Sequence, residues 1–234
     1  MGRLAEVTQR VTDVLPRVEE RLGIERGLVA GLRAEPNDWL FVIKSQAILD
    51  AALARALALR LQQPGVRALL DEAGGPANAR LARAVGLLGP ADEARLQQLT
   101  ALHAAFGHEV SQVSTASLGD HGDAWAAARQ AAFLRQAMGW PDALCEPLGR
   151  SSAPLLWFGG LLKLMCWMAG AFVLVALHDA LQAVEDQALA REPAPGSRGA
   201  AAGRASELAS ALAEAMAELT QPVVPPGKLT LKPI

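Results

Sequence analysis

Residues 39–61 read WLFVIKSQAILDAALARALALRL. From Leu40 to Leu61, 16 of the 22 residues are apolar, and only Lys44, Ser45, Gln46, Asp50, Arg55 and Arg60 are polar. No proline or glycine interrupts the run, and its length suits a helix far better than a strand. The preceding EPNDW supplies a start, because Asn37 or Asp38 can accept hydrogen bonds from the free N–H groups of a first turn. A helix that is apolar nearly all round has no face for water. It must be central in a bundle, or packed on both sides in a dimer.

Composition agrees with this reading. The 234 residues are 51% hydrophobic, yet only five are Phe, five are Trp and none is Tyr. A core built from Leu, Ala and Val favours helices over a β-sandwich. The 22 basic and 24 acidic residues are spread evenly, with 13 of each sign up to Val110. No basic half exists to grip a phosphate backbone, so DNA binding by charge is not expected. Cys145 and Cys166 are too few for a disulfide framework or a zinc cluster, which suits a reducing interior. The opening MGRLAEVTQRV lacks an apolar h-region, so a cleaved secretory signal is not expected.

Working outward, residues 4–33 are amphipathic, with Leu4, Val7, Val11, Val14 and Leu15 at helical spacing. Pro16 is expected to end or kink that helix, and Val18–Leu32 to resume it. QQPG (62–65) and GGP (74–76) read as turns. Helices are expected at Asn78–Leu88, at Pro90 to about Gly107, and at Trp125–Met138. Leu155–Leu177 is the most apolar tract and carries only Lys163 as a charge. It is read as a buried core or interface helix, because a bilayer would penalise Lys163 by roughly 2–3 kcal/mol. A single membrane span is the alternative, since 23 apolar residues are long enough. The domain expected from these elements is an all-α bundle over 1–190. A linker (191–203) follows, then 204–234 with a short helix at Ser206–Leu219 and an extended tail.

Three pieces stand in a particular order: the long apolar helix, then RLARAVGLL (80–88), then an acidic helix start leading into LHAAFGH (102–108). This arrangement resembles the HEPN superfamily of helical bundles, particularly its mannitol-repressor-like branch, over roughly residues 35–145. In catalytic members of that family an Arg-x-x-x-x-His motif, usually facing a second copy across a dimer, cuts RNA without metal. The resemblance places His108 at the histidine position and His103 at the arginine position. That departure matters. A guanidinium is always charged and offers a planar fork of donors to phosphate. An imidazole with an ordinary pKa near 6.5 is mostly neutral at pH 7 and offers one donor. Losing such a donor typically lowers rate by about 10²–10³-fold.

The spacing raises a second difficulty. Five residues place His103 and His108 roughly 140° apart around a helix, so a working pair needs a helix end near Gly107 or a partner chain. Helical zinc pairs sit at i and i+4, so a metal site is not expected either. His103 is placed on an apolar seam with Leu96, Leu99, Phe106 and Val110. His121 and Asp123, in GDHGD, read as a polar turn, and His178–Asp179 as the point where an apolar helix meets solvent. Lys44 and Asp50 each need a partner or a surface.

The resemblance, with this altered motif, implies a non-catalytic regulatory or interaction module that acts as a homodimer, takes a protein partner, needs no cofactor and works in the cytoplasm. The alternatives are a metal-independent endoribonuclease, with His108 as general base and RNA as substrate, and a single-pass membrane protein spanning at 155–177.

Overall fold

The protein is an all-α helical bundle. The computed structural model describes residues 2–63, 65–108, 117–151 and 153–189, and ten helices account for most of them. They are α1 (Gly2–Leu22), α2 (Leu28–Leu32), α3 (Asp38–Leu61), α4 (Val66–Ala73), α5 (Gly75–Ala84), α6 (Pro90–His108), α7 (Leu118–Asp123), α8 (Ala127–Met138), α9 (Asp142–Gly149) and α10 (Phe158–Leu189). The expected linker (191–203), terminal helix and tail lie outside the described residues.

The two most apolar stretches of sequence form the central pair. α3 packs against α10 and also touches α1, α2, α4, α5 and α6, while α10 is flanked by α1, α6, α7 and α8. Both are therefore covered largely within one chain, and a second copy is not needed to bury them. Asn37 caps α3 by accepting from the Leu40 N–H at 3.0 Å. One stretch, Phe158–Gln187, is long and apolar enough to cross a membrane by length and composition, and 67% of its most apolar window is buried. Lys163 sits in that stretch, where its ammonium pairs with Asp38 at 2.8 Å, donates to the Glu35 carbonyl and lies 5.3 Å from the Phe41 ring centre.

Pro16 does not end the first helix. α1 runs through it to Leu22, because Val7, Val11 and Leu15 before the proline and Val18 and Leu22 after it form one buried face. Packing along that face outweighs the lost N–H and the ring's clash with the preceding turn. The break comes at Gly23, whose φ of +67° reverses the chain. Glu19 secures the turn that follows. Its carboxylate, fully buried, accepts from the Gly27 and Val29 N–H groups at 2.6 and 2.8 Å and so caps α2.

The segment GDHGD is not a turn but part of α7, a short helix laid on the start of α10. Ser117 caps it, and Asp38 also accepts the Leu118 N–H at 2.9 Å. At the other end Asp123 accepts the Gly159 N–H at 3.1 Å, satisfying a donor in the first turn of α10. Glycine is required at the crossing: a Cβ on Gly159 would collide with the Gly119 carbonyl and the Asp123 carboxylate. α5 begins three residues before Asn78 and ends at Ala84, after which Gly86 (φ +77°) turns the chain toward the buried Leu87 and Leu88. α8 starts at Ala127, two residues later than Trp125, and α9 starts at Asp142, just after Pro141.

Candidate functional site

α6 runs unbroken through both histidines that the sequence singles out. Both positions are helical, so within one chain they stay roughly 140° apart around the axis. The side chain of His108 lies outside the described residues, as does Val110. His103 is only half-buried. The buried face of α6 is made by Arg95, Leu96, Leu99, Leu102 and Phe106, and it places His103 on the flank of the seam rather than on it.

Asp50, half-way along α3, is close enough for the His103 charge to act on it. Burial pushes the Asp50 carboxyl above its ordinary 3.8, while a hydrogen bond from Gln46 and the charge of His103 pull the other way. Desolvation is the largest of these influences, so the protonated form of Asp50 is favoured relative to a free aspartate. The Gln46 amide donates to Asp50 Oδ1 at 2.9 Å, one helical turn back. On the other side Asp50 rests against the first residue of α5, where Gly75 leaves the room: a Cβ there would collide with Oδ1. The positive end of a helix is a favourable neighbour for a carboxylate. The cluster thus draws on three helices, with Gln46 and Asp50 from α3, His103 from α6 and Gly75 from α5.

Such a half-buried carboxyl beside an imidazole can hold and exchange a proton. It has no fork of cationic donors for a phosphate. Asp50 shows in the sequence as a charge inside an apolar helix, and Gln46 as its neighbour at i–4. Gly75 carries no such signal, because its role depends on what α5 meets in space.

The remaining candidates are structural. His121 lies between the Phe106 and Trp125 rings, with centroids 5.7 and 5.6 Å away, in an aromatic cluster that continues to Phe133 and Phe158. The ring is therefore packed in the bundle and not displayed on a loop. His178 Nδ1 is 3.1 Å from Asp179 Oδ1, both largely buried. Lys44 pairs with Glu35, whose carboxyl this bond holds below its usual range. Cys145 and Cys166 are buried, and burial pushes both thiols up, away from the reactive thiolate. Among the described residues no group of three His, Cys, Asp or Glu could hold a metal ion.

Beside this cluster, and sharing Gln46 with it, an apolar slot opens between α2, α3, α6 and α10. The architecture and the site together define an all-α bundle in which a half-buried carboxyl on α3 lies within electrostatic reach of an imidazole on α6. No protein-family model, curated protein or solved structure matches the chain.

Proposed function

We propose that the chain is a non-catalytic regulatory or interaction module of HEPN-like fold, acting as a homodimer with a protein partner in the cytoplasm. The observation that carries the reading is that the charge of His103 acts on the carboxyl of Asp50. At the position where the resemblance expects an arginine, the chain carries an imidazole within electrostatic reach of a carboxylate. A phosphate approaching His103 also feels the Asp50 carboxylate whenever that group is ionised, and like charges oppose one another. The site therefore lacks the charge that phosphodiester cleavage without metal would need. The Lys163–Asp38 pair supports an aqueous rather than a membrane setting, because it gives the one charge in the apolar tract a partner inside the bundle. Exposed Leu144 and Leu156, the latter 95% exposed, offer apolar surface on which a second copy or a partner could be seated.

The test is RNA cleavage by the purified protein without metal, beside His108→Ala, His103→Arg and His103→Arg/Asp50→Asn variants. No His108-dependent cleavage is expected in the native protein. If native protein cuts RNA and His108→Ala stops it, the chain is a nuclease and the reading fails. Light scattering at micromolar concentration should give about twice the chain mass.

A further inference from the structure

A cleft lies on the surface between the turn that joins α1 to α2, the exposed side of α2 and the start of α3. Its free volume is about 290 Å³, at the lower end of the range that small-molecule sites occupy, about 300–1,000 Å³. Gly27 and Gly31 line it one helical turn apart, and a Cβ on either would meet nothing within 4 Å, so both open onto free space. Both walls are anchored. The turn is pinned by the buried Glu19 carboxylate, which accepts from the Gly27 and Val29 N–H groups. Across the cleft, Glu35 accepts from the Asn37 N–H at 3.3 Å and from the Lys44 ammonium at 2.5 Å, and its side chain is only 13% exposed.

The lining carries two charges of each sign, Glu25 and Glu35 against Arg26 and Lys44. Glu35 and Lys44 already neutralise one another. Glu25 and Arg26 are exposed and enter no ion pair with another described residue. A ligand of one sign alone is attracted by one of these two groups and opposed by the other. A zwitterion finds an opposite charge for each of its ends. Leu28 and Leu32 add apolar wall beside them. We propose that this cleft binds a free α-amino acid with an aliphatic side chain. Arg26 takes the carboxylate, Glu25 takes the ammonium, and the side chain lies over Gly31 against Leu28 and Leu32. The planar fork of a guanidinium suits a carboxylate. The site is independent of the regulatory reading, since it uses neither His103 nor His108, and the failure of either leaves the other standing.

The experiment is an NMR titration of the isotope-labelled full chain with L-leucine, beside leucinamide, which lacks the carboxylate, and 4-methylpentanoate, which lacks the ammonium. Exposed charge pairs contribute little each, so the Gly27, Gly31 and Lys44 amide signals should shift and saturate with a Kd on the order of 1 mM. Each analogue should bind about three- to fivefold more weakly than leucine. Arg26→Gln should bring leucine down to the affinity of leucinamide and leave leucinamide unchanged. Glu25→Gln should do the same with respect to 4-methylpentanoate. Gly31→Leu fills the space over α2 and should abolish binding with the fold retained, because leucine is a better helix former than glycine. Absence of saturable shifts, equal affinity for the three ligands, or leucine binding that survives Gly31→Leu would each overturn the proposal.

Discussion

Two charged side chains interrupt the two most apolar helices, and the bundle treats them differently. Lys163 on α10 is given a full set of partners: the Asp38 carboxylate, a backbone carbonyl and the face of Phe41. Asp50 on α3 is given a neutral amide, the edge of a helix N-terminus and the field of His103, with desolvation as the strongest influence on it. The first charge acts as a strut. It joins the start of α3 to the second turn of α10, and through the other oxygen of Asp38 it holds the start of α7 as well. The second is kept at a disadvantage that the packing does not remove. A residue that folding alone would replace by something apolar is where a role in proton exchange or ligand response is best sought.

The comparison breaks most visibly at Asp38. Asp38→Ala removes an ion-pair partner from Lys163 and an acceptor from the Leu118 N–H at once. Truncating one member of a buried pair costs about 3–5 kcal/mol, and partial exposure of Lys163 lowers that to about 2–4 kcal/mol here. Urea unfolding of the variant should show it. A loss below about 0.5 kcal/mol would mean that Lys163 finds water instead, and the strut would be decorative. Lys163→Met breaks the same pair from the other side and should also cost about 2–3 kcal/mol, because the Asp38 carboxylate keeps only its backbone donor, whereas replacing both partners with apolar groups should be much milder.

The strut and the cluster also differ in how they show in the sequence. Lys163 and Asp50 are both visible as charges in apolar runs, and helical periodicity places each on its helix. Neither set of partners is visible, because Asp38 lies 125 residues from Lys163 and the Asp50 cluster joins three helices. The all-α bundle with α3 and α10 at its centre was legible because two long apolar runs can do little else. The α7 segment was not: GDHGD has the residues of a turn, and glycines at 122 and 159 let it lie as a helix directly on α10. α1 misleads for a related reason. Pro16 is a local signal, and the buried face that overrides it is a tertiary one. His103 shows the limit most clearly. Its spacing suits a seam shared with Leu96, Leu99 and Phe106, but the neighbours of α6 bury Leu102 and leave His103 at the edge.

Asp50 carries the smallest effect and the sharpest sign. Its carboxyl titrates above the ordinary 3.8 in the folded chain, so across the interval between the two values the native state binds the proton more tightly than the unfolded state. Stability therefore falls as pH rises through that interval, and above it the native protein bears the whole disadvantage of a desolvated carboxylate. Asp50→Asn removes the ionisation and keeps the hydrogen bond from Gln46 available. The variant should match the native chain near pH 3 and exceed it at pH 7, by about 0.5–1 kcal/mol. His103→Ala should move the other way, because His103 is one of the influences that lower the Asp50 carboxyl; without it the fall in stability should extend to higher pH. Thermal unfolding from pH 3 to pH 8 separates the cases. If Asp50→Asn proves less stable at pH 7, the attraction of His103 for Asp50 outweighs the desolvation of the carboxylate. The site would then belong with the Lys163 strut, and the contrast between the two helices would disappear.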